Sequence, residues 1–255
     1  MADESNYHFG AVPWYRQPTW QFSTTFLLVG VLLLGGYLFD RVKGTALPQA
    51  YAQLSSPHQV LGANGPTGIQ LTTTSSSVSD APYVVIYQDY QDLASADIDL
   101  MLSDALNALG SRGEIIVEYR TMTFLDHNAV SGASQRAAIG AACADIQGVF
   151  AAYHYQIFQN QNSNGFSDTQ LRDDFAIAAG LSGDKLSAFQ ACYDNRLTED
   201  FVNAIATQAL ADGVTVIPTY LANGTSLDLA DLELINQRVS ETSLRTAIET
   251  LKTSA

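Results

Sequence analysis

Ala81-Pro82-Tyr83-Val84-Val85-Ile86-Tyr87-Gln88-Asp89-Tyr90-Gln91 is the stretch on which the fold turns. Tyr83 to Tyr87 is β-branched and aromatic on both faces, as a strand covered on both sides reads. Residues 93–109, LASADIDLMLSDALNAL, follow with Ile98, Leu102, Leu106 and Leu109 at helical spacing. Asp97, Asp99 and Asp104 are left for the start of that helix and its wet side. Gly110 and Gly113 end it, and Glu114-Ile115-Ile116-Val117-Glu118-Tyr119 is a second strand. Strand, helix and strand in that order make a β-α-β unit with parallel strands, so the fold class is α/β.

Outward from this unit, the pattern changes on both sides. Ser131 to about Gly213 is helical in character, with Ala-rich and amphipathic windows at 134–160, 168–179, 184–193 and 198–212. That predicts a helical insertion over about 124–213. Gly213-Val214-Thr215-Val216-Ile217 then reads as a strand, interrupted by Pro218 and resumed by Thr219-Tyr220-Leu221 up to an Asn223-Gly224 turn. A proline in such a pattern is tolerated as a cis peptide, or where the backbone is left open for a partner. Leu227 to Leu229 and an amphipathic helix near 230–252 close the chain. Upstream, Gly68-Ile69-Gln70-Leu71-Thr72 alternates as a short edge strand. There is no internal repeat.

The chain holds 26 acidic and 12 basic residues, a net charge of -14, which repels nucleic acid and anionic surfaces alike. Residues 1–43 are neutral, so all the excess charge lies after Lys43. Between Arg16 and Asp40 no residue is charged, and Phe26 to Leu34 reads FLLVGVLLL between Trp14, Trp20, Tyr37 and Phe39. As a helix this stretch spans about 35 Å, enough for a bilayer core. Its aromatic residues fall where interfacial belts occur. A transmembrane helix is expected at 21–39, after a tail at 1–20. Ala50-Tyr51-Ala52 offers a cleavage pattern for the alternative of a signal peptide. It lies well past the apolar run, behind Asp40, Arg41 and Lys43, which favours an uncleaved anchor. From Gly44 to Ser79 the chain is uncharged and rich in Ser, Thr, Gly, Pro and Gln. Residues 40–65 are read as a linker and 66–255 as the globular domain.

Five stretches, Ala81 to Gln91, Thr123-Phe124-Leu125-Asp126-His127, Ala141-Ala142-Cys143-Ala144-Asp145-Ile146-Gln147, His154 to Gln161 and Gly213 to Asn223, carry a resemblance in their order and spacing. Over residues 66–225 the chain resembles the DsbA-like family of thioredoxin-fold proteins, in particular its membrane-anchored, actinobacterial-type branch. The resemblance implies a thioredoxin fold with a helical insertion. It also implies a redox Cys-x-x-Cys at the start of the first helix, where this chain has Asp92, Leu93, Ala94 and Ser95. Neither a carboxylate nor a hydroxyl performs thiol-disulfide exchange, which needs one thiolate to attack and another to resolve. Pro218 matches the family's cis-proline, while Ile217 stands where Thr is frequent. A groove between Asp92 and Pro218 for an extended peptide is the functional reading of that pair of elements. Helix capping by Asp92 is the structural one.

The resemblance further implies a structural cystine between Cys143 and Cys192, with two buried free cysteines as the alternative. Stable cystines belong outside the cytoplasm. That expectation overrides the weak count of one Arg before the span against Arg41 and Lys43 after it, and places the domain extracytoplasmically. His8, His58, His127 and His154 lack metal-ligand spacing. Asp173-Asp174 and Glu199-Asp200 sit where helix starts favour acids, so they are read as solvated surface. No catalytic residue, metal or cofactor is assigned. The expected partners are the lipid bilayer, through one helix, and an integral membrane complex approached by the tail residues Pro13, Trp14, Tyr15, Pro18 and Trp20. A respiratory supercomplex is one such host. The function expected is an accessory or assembly role without dithiol chemistry; the alternative is an envelope oxidoreductase or a peptide-binding foldase.

Overall fold

In a computed structural model, residues 58–62, 65–71, 81–128, 132–162 and 164–252 are described. The expected span at 21–39, the tail before it and most of the linker lie outside them. Among the described residues no helix is long and apolar enough to cross a membrane.

Strands β1 (His58–Gly62) and β2 (Gly65–Leu71) form an antiparallel pair, followed by β3 (Tyr83–Asp89), helix α1 (Leu93–Ser111) and β4 (Ile116–Met122). A 3-10 turn (Phe124–Asn128) leads to α2 (Ala133–Ile146) and α3 (Phe150–Gln159). A π turn (Gln170–Asp174) runs into the short α4 (Phe175–Ala178), before α5 (Gly183–Asp194) and α6 (Glu199–Ala211). The chain returns as β5 (Thr219–Ala222) and β6 (Thr225–Ser226), forms the hairpin β7 (Leu234–Ile235) and β8 (Arg238–Val239), and closes with α7 (Glu241–Lys252). The main sheet has the order β1-β2-β4-β3-β5-β6, with β3 and β4 parallel and the other pairs antiparallel.

The double-faced strand at Tyr83–Tyr87 becomes the centre of this sheet because both of its faces are covered. Val84 and Ile86 join the main core, while Val85 and Tyr87 pack on the opposite face with Met122, Ala209 and Val214. Leu102, Leu106 and Leu109 of α1 are buried in the main core. Each contributes about 1.5–3 kcal/mol, and Leu106→Ala is expected to cost about 2–5 kcal/mol. On the second face the buried Glu118 accepts from the Tyr83 hydroxyl and from Arg120 Nε at 2.8 Å. Gly68 lies over it: a Cβ there would fall 2.6 Å from Glu118 Oε1 and 2.7 Å from the Tyr119 carbonyl, so β2 and β4 meet this closely only with glycine.

The structure corrects the reading at four places. Strand β1 lies inside the stretch read as linker and covers β2, so β2 is not an edge. Its sequence, HQVLG, has no apolar alternation, and β1 is a strand through backbone pairing with β2. Residues 213–217 are not a strand: the Val214 amide bonds back to the Ala209 carbonyl, closing α6, and pairing with β3 starts at Thr219. The last helix starts at Glu241, not near 230. Asn236 and Gln237, both with φ positive (52° and 64°), turn the β7-β8 hairpin inside the stretch assigned to it. Asp99, assigned to the helix start or the wet side, is fully buried.

Candidate functional site

The end of β3 delivers the chain to the start of α1, where the thiols of the resembling family would stand. The Asp92 amide bonds to the Asp89 carbonyl at 3.0 Å, and Asp92 takes the N-cap position with φ -82° and ψ 119°. Its Oδ2 accepts from the Ser95 amide at 2.7 Å and from Ser95 Oγ at 2.6 Å. The first and fourth positions of the lost motif are therefore bonded to each other through one carboxylate oxygen, at the end of the helix that favours negative charge. Ser95 is buried, whereas Leu93 between them is 57% exposed.

The Ile217-Pro218 peptide is cis. Thr219 pairs with Tyr87, so continuing the antiparallel register sets Pro218 opposite Gln88, at the end of β3 that leads into Asp92. The parallel pairing of Asp89 with Met122 brings the loop after β4 to the same edge. Three exposed apolar side chains lie on these segments: Leu93, Leu125 and Val216.

A collar of polar groups holds this edge. The buried Asp89 carboxylate accepts from Ser134 Oγ (2.6 Å), the Gln91 amide (2.9 Å) and the Leu125 amide (3.1 Å). Burial pushes its pKa up, against the pull of those three donors. Asp126 accepts from the Ser134 and Gln135 amides at 3.0 and 2.7 Å and from Gln91 Nε2 at 2.9 Å. It thus caps α2, whose own N-cap, Gly132, has no side chain to do so. Gln161 Nε2 donates to the Gln91 carbonyl at 2.8 Å, fastening the turn from the other side.

Beneath the collar sits a group that the sequence pattern did not single out. His154 is buried among the rings of Tyr119, Phe158, Phe150 and Tyr90, with centroids 4.8 to 5.5 Å away. Its Nδ1 is 2.9 Å from the Tyr90 hydroxyl, and its Nε2 is 3.2 Å from Asp99 Oδ1. Thr121 in turn hydrogen-bonds to Tyr90. A tautomer with Nε2–H lets Nδ1 accept from the Tyr90 hydroxyl and turns the N–H towards the Asp99 carboxylate, which it approaches without hydrogen-bond alignment. That His154 would be placed against a helix-borne Asp was legible only as a histidine and an acid, distant in sequence, on two helices that tertiary packing joins.

Cys143 on α2 and Cys192 on α5 form a disulfide, with Cα atoms 5.8 Å apart and both sulfurs buried. Neither helix carries Asp92 or Ser95. Asp173 is paired with Arg172 and Gln190, Glu199 with Arg196, and Asp174 and Asp200 are exposed. Among the described residues no cluster of three His, Cys, Asp or Glu side chains is placed to hold a metal.

A family model described as Thioredoxin matches residues 79–249. Among solved structures, the MdbA protein, a thiol-disulfide oxidoreductase from Corynebacterium diphtheriae, superposes with a TM-score of 0.59 at 17% identity, over 80% of this chain and 99% of its own. MdbA from Actinomyces oris gives 0.57 at 16% identity over 82% and 100%. Oxidised Mtb DsbA gives 0.54 at 18% identity over 78% and 92%. At these identities the likeness speaks for the fold. No curated protein matches the chain in sequence.

Proposed function

This chain belongs to the thioredoxin family, and from that premise we propose that it binds polypeptide at the β3–α1 edge without exchanging thiols, as an accessory or assembly component of a membrane complex. The observation that carries this reading is the closed Asp92–Ser95 cap, flanked by cis-Pro218 and by exposed Leu93, Leu125 and Val216. Exchange needs an accessible thiolate, and the cap supplies a carboxylate and a hydroxyl in its place. What is left at that edge is an apolar rim beside backbone at the end of a sheet, features that suit an extended segment.

The uncharged stretch at 17–39 supports an anchor, and the buried cystine supports an extracytoplasmic location for the domain. Both features support a rim presented to other envelope proteins. The excess of acidic residues after Lys43 disfavours nucleic acid and anionic lipid headgroups as its ligands.

The second reading, an envelope oxidoreductase, is favoured by the likeness to the MdbA proteins, which are thiol-disulfide oxidoreductases. It would have to run on Cys143 and Cys192, which are 0% and 4% exposed and so are shielded from an attacking thiolate.

Purification of the tagged full chain in mild detergent, with mass spectrometry and thiol labelling before and after reduction, separates the two. Stoichiometric membrane subunits, with both cysteines blocked until reduction, are expected. A solitary protein that labels without reductant, or that turns over a disulfide substrate, refutes the proposal.

A further inference from the structure

The C-terminal helix α7 and the segment from β6 to β7 flank a groove of about 500 Å³, beside the strand that ends the main sheet on that side. Its volume is that of an ordinary ligand site. The floor is apolar: Leu227 and Leu232 are 5% and 8% exposed, and Ala247 and Leu251 of α7 pack on the core half-buried. One wall is the exposed side of α7. There the Thr246 and Thr250 hydroxyls bond back to the carbonyls of Thr242 and Thr246 at 2.9 and 2.8 Å, which leaves their methyl groups to the groove. The opposite lip is acidic, with Asp228, Asp231 and Glu233 all exposed. Directly after Glu233 the hairpin presents Leu234 and Ile235, 54% and 55% exposed. The lip is pinned in place: the Glu233 amide donates to Ser243 Oγ at 2.9 Å, and the Glu233 carbonyl accepts from the Ser240 amide at 2.8 Å. A groove held open in this way loses little freedom when it is filled.

We propose that this groove docks a cationic, amphipathic segment of a protein partner, in which Lys or Arg alternates with apolar side chains. Charge is the first reason. Every arginine among the described residues is already ion-paired within the domain. The nearest ones in sequence are no exception, since Asp104 holds Arg238, and Glu114 and Glu241 hold Arg245. Asp228, Asp231 and Glu233 form no ion pair among the described residues. The lip therefore carries three carboxylates that no cation of the domain answers, and complementarity selects a partner that brings one. The floor is the second reason. Aliphatic stems of Lys and Arg cover apolar surface while their heads stay in water, and Leu234 and Ile235 extend that surface past the groove. Anionic lipid and nucleic acid are repelled at such a lip. A second copy of the domain would bring arginines that are already paired. None of Asp92, Pro218, Leu93, Leu125 and Val216 lines the groove, so this surface is separate from the β3–α1 edge and does not rest on its reading.

The probe is a rhodamine-labelled, amidated peptide of four Leu-Lys repeats, added to the full chain in nonionic detergent at low salt, with binding read by anisotropy. Saturable binding is expected. It should weaken about threefold or more in Asp231→Asn/Glu233→Gln and also in Thr246→Arg, which sets a cation on the groove wall. These positions are exposed, so the variants should keep the parent's unfolding midpoint. Asp184→Asn/Asp200→Asn removes the same charge from exposed positions of the helical layer and should leave binding within about twofold. A peptide of Ser-Lys repeats, with the same charge and no apolar side chains, should bind at least about tenfold more weakly. No binding to the parent, or equal weakening by the two acid pairs, overturns the site, the second because it means unspecific attraction to an acidic domain. Binding lost in Leu93→Ser but kept in the groove variants would put the peptide at the β3–α1 edge, supporting that reading and overturning this one. Self-association of the parent that the groove variants abolish would make a second copy the occupant and overturn the proposal as well.

Discussion

Two regions of this fold treat sulfur in opposite ways. At the start of α1 the two positions of the family's dithiol hold Asp92 and Ser95, and the fold there is intact. Between α2 and α5 the sulfurs remain, as the Cys143–Cys192 bond. The difference is one of solvent and of helix ends. A helix N-terminus beside water has orphan amides and a positive dipole end, so a carboxylate–hydroxyl pair does the structural work there. The contact between α2 and α5 is buried, and there the cystine ties two helices together. A redox centre is therefore separable from the scaffold that presents it, whereas the buried cystine is part of that scaffold.

The largest effect that would break this comparison lies in the helical layer. Cys143→Ala/Cys192→Ala opens a loop of 49 residues, and in the chain-entropy model should cost about 4 kcal/mol, measured by urea unfolding. A loss under about 1 kcal/mol would remove the cystine from the scaffold.

Next comes Asp145, close to Cys143 on α2, whose carboxyl burial pushes up to about 7. An acid with a raised folded-state pKa stabilises fully below its unfolded value near 3.9 and loses that contribution as pH rises towards 7. Asp145→Asn should therefore stabilise at pH 8 by about 1–3 kcal/mol and change little at pH 4, as thermal unfolding at both pH values would show. An equal effect at the two pH values would place the carboxylate in contact with water.

At the site itself, Asp92→Ala removes the cap and should cost about 1 kcal/mol, seen as a lower denaturant midpoint with unchanged slope. The smallest effect on stability sharpens the comparison most. Asp92→Cys/Ser95→Cys should leave the unfolding midpoint within about 1 kcal/mol and raise dithiothreitol-driven insulin reduction above that of the parent chain. A folded double variant without activity would mean that the groups around the site, and not only its thiols, have left redox chemistry.

Much of this architecture was legible in one dimension. The two-faced apolar run at Tyr83–Tyr87, the helix ending at Gly110 and the second strand gave parallel β3 and β4, because burial on both sides leaves no polar position in a strand. Thr219–Leu221 and the Asn223-Gly224 turn were legible as well, while Gly213–Ile217 misled: Val214 and Val216 alternate like a strand, yet one closes α6 and the other faces solvent. The hairpin at 234–239 hid in an amphipathic window because two strand residues on either side of Asn236-Gln237 are too few to shift the period.

The site divides along the same line. That Asp92 and Ser95 cannot exchange disulfides followed from residue identity alone, since the chemistry of a missing thiol does not depend on its surroundings. That they bond to each other, that Asp126 caps a helix it does not belong to, and that Asp99 meets His154 were decided by tertiary structure. A row of polar residues at helical spacing has the same period as a row of leucines, so the pattern of α1 marks two faces without saying which one meets water. Only tertiary packing, with Asp99 set against His154 of α3, turns Ser95, Asp99, Ser103 and Asn107 inward.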